Sequence, residues 1–209
     1  DQVDIDGKAI LFESGIYAKI PTDLPEKLAL SALDVAGAPA QTAKLVKPGD
    51  TVLIIGAGGK SGMLCCYEAM KRAGVTGKVI GLCHSQKSAD RLKALGFCHT
   101  VFTADATQPV PVMEKISELT GGQMCDVTIN NVNIPDTEMT SILCTKNDGV
   151  VYFFSMATSF TKAALGAEGV GSDVTMIVGN GYTKGHAEIT LQELRENEAL
   201  RKIFTDLYA

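Results

Sequence analysis

The stretch Val52 to Met63, VLIIGAGGKSGM, runs from an apolar segment into glycines at 56, 58, 59 and 62, with Lys60 and Ser61 among them. Two phosphate-binding loops compete for this spacing. A GxxxxGK[ST] loop wraps backbone amides around phosphates before its lysine reaches the terminal one. Counting back from Gly59, its leading glycine would have to stand at Ile54, inside the apolar run. Isoleucine cannot make that turn, so GKS is a coincidence and Lys60 lies near a helix start. The GxxGxxG pattern does fit, through Gly56, Gly59 and Gly62, with Gly58 completing a GxG. Gly56 then permits a sharp exit from a strand, Gly58 and Gly59 let the backbone approach a pyrophosphate, and Gly62 lets the helix pack on the strand. The helix start faces the anion. The plainer alternative is a glycine turn that serves packing alone.

Further polar residues fall where later apolar runs stop. KVIGLC ends in His84, Ser85 and Lys87, roughly twenty residues past the glycines, where an acid commonly holds a nucleotide ribose. No Asp or Glu stands there, so these residues could hold a 2′-phosphate, or Ser85 could simply cap the next helix. Asn130, Asn131 and Asn133 close another run and suit either a ribose and carboxamide or a turn. Ser155, Met156 and Ala157 follow a third. A glycine-rich loop then carries Asn180, Tyr182, Lys184, His186 and Glu188. Lys184 and His186 could meet a carboxylate or shuttle a proton, or the loop could merely end in a helix cap. Tyr67 and Lys71 form a YxxxK pair one helical turn apart, which reads as structural, and His99 reads as a turn residue.

These positions need elements to hold them. Short, continuously apolar runs at Val52–Ile55, Lys78–Cys83, Thr100–Thr103, Asp126–Asn130, Val150–Phe154 and Val174–Val178 predict strands covered on both faces. Helical spacing over Gly62–Arg72, Lys87–Leu95, Pro111–Leu119, Asp136–Leu143 and about Glu188–Tyr208 alternates with them. The pattern predicts an α/β fold, a Rossmann-type doubly wound parallel six-stranded sheet with helices on both faces. Residues 1 to 22 read as two strands, and Pro25 to Leu45 as helical before the turn Lys47-Pro48-Gly49-Asp50. The expected boundary lies near residue 22, with a dinucleotide-binding domain over 23–209.

Composition narrows the partners. The 209 residues are 45% apolar and 21% charged, enough for one packed core, and the net charge of −5 argues against a nucleic-acid backbone. No apolar run reaches the ~18 residues of a membrane span, and the acidic start DQVDID is unlike a signal peptide. A soluble, cytoplasmic protein is expected. The six cysteines form no CxxC pair, mostly lie in apolar runs and read as reduced core thiols, and no metal ligand set is assigned.

The segment DVAGAPAQTAKLVKPGDTVLIIGAGGKSG resembles the entry into the cofactor domain of medium-chain dehydrogenases. ILFESGIYAKIP, GAGGKSGMLCCYEA, VYFFSMATSFTKAALGAEGVG and GNGYTKGHAEITL are similar to amine-oxidising members that act on a diamino acid of lysine fermentation. That resemblance implies oxidative deamination with NAD, NADP also being tolerated, and a homodimer joined through the sixth strands. It also implies a preceding catalytic domain, of which residues 1 to 22 would be the last piece and to which zinc ligands of related enzymes belong. A small diamino acid substrate would need a cation, from Lys184, His186 or Lys162, and an acid, from Glu188, Glu168 or Asp34; the trio expected at the chemistry is Lys184, His186 and Glu188. Rival readings are another medium-chain NADP-dependent reductase, a non-catalytic nucleotide-binding module, and a methyltransferase, the last disfavoured because no acid ends the second strand.

Overall fold

A computed structural model describes residues 5–179 and 182–209 of the chain. Two helices, α1 (Glu26–Leu33) and α2 (Gly37–Leu45), lead into six strands, β1 (Thr51–Ile55), β2 (Lys78–Cys83), β3 (Thr100–Thr103), β4 (Cys125–Asn130), β5 (Thr145–Phe153) and β6 (Thr175–Val178). Between them run α3 (Lys60–Ala73), α4 (Gln86–Leu95), α5 (Pro109–Thr120), α6 (Glu138–Leu143) and α7 (Phe160–Val170). The chain closes with α8 (His186–Glu196) and α9 (Glu198–Tyr208).

All strand pairings are parallel, in the order β3-β2-β1-β4-β5-β6. Pleating splits β1 between two cores. Val52 and Ile54 join the cluster built with α1, α3, α8 and α9, while Leu53 and Ile55 join the one roofed by Val112 and Ile116 of α5. Continuous apolarity in β1 is thus the mark of helices on both faces. The direction of winding reverses between β1 and β4, which opens a crevice at the strands' carboxyl ends.

Local chemistry sets the connections. The turn before β1 closes through Asp50, whose carboxylate accepts from the Lys47 amide at 2.8 Å. Ser85 accepts from the Ser88 amide at 3.3 Å and starts α4. Asn197 accepts from the Leu200 amide at 2.8 Å, and this cap divides the expected single terminal helix into α8 and α9.

Two expectations need correction. The described part of residues 1 to 22 contains no strand: Ile5, Ile10, Leu11, Phe12 and Tyr17 are exposed, and no strand of the sheet pairs with them. Alternating apolar residues need a ladder partner to become a strand, and here there is none. Conversely, α7 escaped the periodicity because Gly166 and Gly169 dilute its apolar stripe. A Cβ on Gly166 would stand 2.6 Å from the Met139 sulfur, so the gap in the stripe is where α7 meets α6.

Candidate functional site

The glycines after β1 do different work. Gly56 has φ +80°, and a Cβ there would lie 2.9 Å from Val132. A Cβ on Gly58 would meet that of Ser88 at 2.7 Å, and one on Gly62 would lie 2.1 Å from the Gly56 carbonyl oxygen. All three are therefore demanded by contacts within the protein, Gly58 by α4 and Gly62 by the strand exit. Gly59 differs: it is exposed, and its nearest obstacle would be the Gly56 oxygen at 3.3 Å. Of the four it is the place where a ligand can approach the backbone. No side chain caps α3 behind it, so its first-turn amides have no side-chain acceptor at the positive end of the helix.

Cavities lie on both sides of this loop. One of about 290 Å³ is a largely apolar slot between Gly56, Leu82, His84, Ala104, Ala106, Val132 and Ile134. The other, about 390 Å³, is lined by Asp34, Val35, Ser61, Asn131, Asn133, Phe154, Ser155 and Met156. Consecutive residues beyond β4 serve both, Val132 the slot and Asn131 and Asn133 the polar cavity. The Asn131 Nδ2 is buried there without an acceptor, an open hydrogen-bond offer to a carbonyl or carboxylate. Its Oδ1 lies 3.8 Å from the Cys65 sulfur, and burial pushes that thiol up to about 12, which keeps it neutral. Arg91 fastens the loop from behind, donating to the Gly58 carbonyl at 2.7 Å.

A smaller cavity of about 220 Å³ shares Asp34 and Phe154 with the polar one and adds Ile16, Leu33, Tyr182 and His186. His186 is thus brought to the crevice. Lys184 is not: it lines a separate groove with Lys44 and Arg72, and Glu188 is exposed on α8, away from all of these cavities. Lys162 pairs with Asp136 at the surface, and Glu168 is exposed on α7. The trio Lys184, His186 and Glu188 is therefore dispersed over three surroundings. Asn180 lies outside the described residues.

Asn130 is a correction. It is fully buried, its Nδ2 donating to the hydroxyls of Thr137 and Ser141 at 2.9 Å each and its Oδ1 accepting from the Val132 amide at 3.0 Å. It fixes the loop beyond β4 and cannot touch a ligand through its side chain. Ser85 and Lys87 are exposed near the slot but only His84 lines it, while Ser155 accepts from the Ala157 amide at 3.1 Å beside the exposed Met156. Sequence reasoning missed the slot walls Ala104, Ala106 and Ile134, together with Phe154 and the Arg91 clamp. Only the small apolar side chains just past β3 gave a signal. Tyr67 packs on Phe97, and Lys71 pairs with Glu68 and Glu196, which makes their YxxxK spacing structural.

The model of the family described as zinc-binding dehydrogenase matches residues 62–188. Two curated relatives are similar along the chain: L-erythro-3,5-diaminohexanoate dehydrogenase of Acetoanaerobium sticklandii, 65% identical, and that of Fusobacterium nucleatum subsp. nucleatum, 60% identical, each over 208 residues. The chain spans 60% of the length of each of these relatives, while the match takes in 100% of the chain. Among solved structures, a mycobacterial protein complexed with NADPH superposes with a TM-score of 0.67 at 21% identity, over 91% of this chain and 63% of that one. The alcohol dehydrogenase of Thermus sp. ATN1 gives 0.62 at 22%, over 88% and 52%. At these identities the likeness establishes the fold.

Proposed function

This chain belongs to the zinc-binding dehydrogenase family, and from that we propose that it holds NAD or NADP in an enzyme that oxidatively deaminates L-erythro-3,5-diaminohexanoate. Identity of 65% and 60% to dehydrogenases of that name supports the substrate. The observation that carries the cofactor is the pair of cavities flanking Gly59 and the uncapped start of α3. The apolar slot would take the adenine, the α3 amides would take the pyrophosphate, and Ser61, Asn131 and Ser155 would line the room for the nicotinamide. Gly56, Gly58 and Gly62 shape the loop. His84, with Ser85 and Lys87 near it, would border the adenosine ribose; no carboxylate ends β2, and the nearby acid is Asp105 beyond β3, which feels the charge of His84. The proposed cofactor is accordingly NAD, with NADP as the alternative.

A bound nicotinamide supplies the acceptor for hydride leaving C3. The amine on C3 is cationic at neutral pH and must first lose a proton, and His186, at the edge of the crevice, is the residue proposed to take it. Hydride loss leaves a C3 iminium, to which water adds and from which ammonia departs, giving 5-amino-3-oxohexanoate. Asn133 and Met156 close the cavity's outer side. Among the described residues no three His, Cys, Asp or Glu side chains converge as metal ligands.

Residues 1 to 22 are assigned to a neighbouring domain of the longer enzyme, which would cover their exposed apolar side chains. Free, mostly buried cysteines suit the reducing cytoplasm, and the edge strand β6 is the proposed seam of a homodimer. The test is direct. The full-length polypeptide should quench or transfer fluorescence on titration with NADH and NADPH and should turn over L-erythro-3,5-diaminohexanoate with either oxidised cofactor. Failure to bind both, or binding without turnover, defeats the assignment.

A further inference from the structure

Lys60 is the first residue of α3, and its Nζ stands 2.9 Å from the Asp34 carboxylate beyond the end of α1. The lysine side chain is 29% exposed and the aspartate 66%, so solvent screens the pair. Such solvent-screened pairs contribute little to stability, and little opposes their exchange. Both partners have a second claim. Lys60 adjoins the exposed Gly59 and the first-turn amides where the proposed pyrophosphate would rest. Asp34 lines both the 390 Å³ and the 220 Å³ cavities and is the one carboxylate among the residues lining them. Among the described lining residues, a diamino acid entering that space with its ammonium groups charged meets Asp34 as its anion.

We propose that the Lys60–Asp34 ion pair sets the order of binding: an arriving dinucleotide draws Lys60 onto its pyrophosphate, and the carboxylate so released becomes the anchor for an ammonium group of the substrate. This rests on the dinucleotide assignment above. Before the cofactor binds, Asp34 is neutralised by Lys60 and holds a diamine poorly. Once it is bound, the same cavity carries a free negative charge. Because coupling between two ligands is reciprocal, the diamine also tightens the dinucleotide. The Tyr208 ring, 5.4 Å from the Lys60 Nζ, limits where the lysine can swing.

Calorimetry on the full-length polypeptide tests this with NADH and L-erythro-3,5-diaminohexanoate, a pair that binds without reacting because both are reduced. In the wild type NADH should tighten the diamino acid at least ~tenfold, within the usual range of such couplings. Lys60→Gln should bind the diamino acid tightly without NADH and lose most of the coupling, whereas Lys60→Arg should restore it. Asp34→Asn should bind the diamino acid weakly in either state while still taking NADH. Wild-type coupling in Lys60→Gln, or unchanged diamino acid affinity in Asp34→Asn, overturns the proposal. If wild-type protein binds NADH but shows no coupling, the exchange is refuted and the cofactor assignment stands. If it does not bind NADH at all, the assignment itself has failed.

Discussion

At the scale of single residues, four glycines in seven positions look alike in the sequence and part company in space. Gly62 lies under the strand exit, where an added Cβ would strike backbone 2.1 Å away. Backbone on both sides cannot yield cheaply, so Gly62→Ala should lower stability by about 1–3 kcal/mol or more, measured by urea denaturation. Gly59→Ala should cost less than ~1 kcal/mol, because the position is exposed and extended at φ −84°. It should nevertheless weaken NADH at least ~tenfold if phosphate rests there. Equal losses of stability in both variants would show that Gly59, too, serves packing. The asparagines past β4 carry the same lesson: composition marks a polar rim, but the pleat and the turn decide that Asn130 is sealed inside and Asn131 opens to the cavity.

At the scale of elements, α3 and α8 meet around two buried acids. Glu68 of α3 is paired with Lys71 and Arg72, while Glu193 of α8 is fully buried and neither of its carboxylate oxygens has a hydrogen-bond partner. Burial, reinforced by the charge of Glu68, holds the Glu193 carboxyl well above the ordinary range, and Glu196 pushes it the same way while Lys71 and Arg72 oppose. The folded protein therefore keeps a proton that the unfolded chain releases at about 4.3. Its contribution to stability is full below that value, shrinks as pH rises, and is lost once pH passes the raised folded value. Urea midpoints at pH 5 and pH 8 should show Glu193→Gln stabilised relative to wild type at the higher pH and little changed at the lower. An equal difference at both would mean that Glu193 is ionised in the fold. The strands and most helices were legible in the sequence because each repeats one period. The break at Asn197 and the helix α7 were not, since a cap and two packing glycines act through neighbours that periodicity does not see.

For the whole molecule, the sheet ends in β6, whose outer backbone edge has no partner strand among the described residues. An unpaired edge invites a second copy. Sedimentation of the full-length polypeptide should give twice the protomer mass, and Thr175→Asp, which places a charge at an exposed edge position, should weaken association at least ~tenfold. A monomer at all concentrations would remove β6 as the seam. By itself the sequence determined the order of the six strands and of most helices, the strand exit at Gly56 and the family resemblance, because apolar period and glycine spacing are local properties written in consecutive residues. Only the tertiary structure decided that His186 reaches the crevice while Lys184 and Glu188 do not, and that Asp34, twenty-six residues before Lys60, is its partner. Which side chains share a cavity depends on how distant elements pack, and the spacing of residues along the chain carries no record of that.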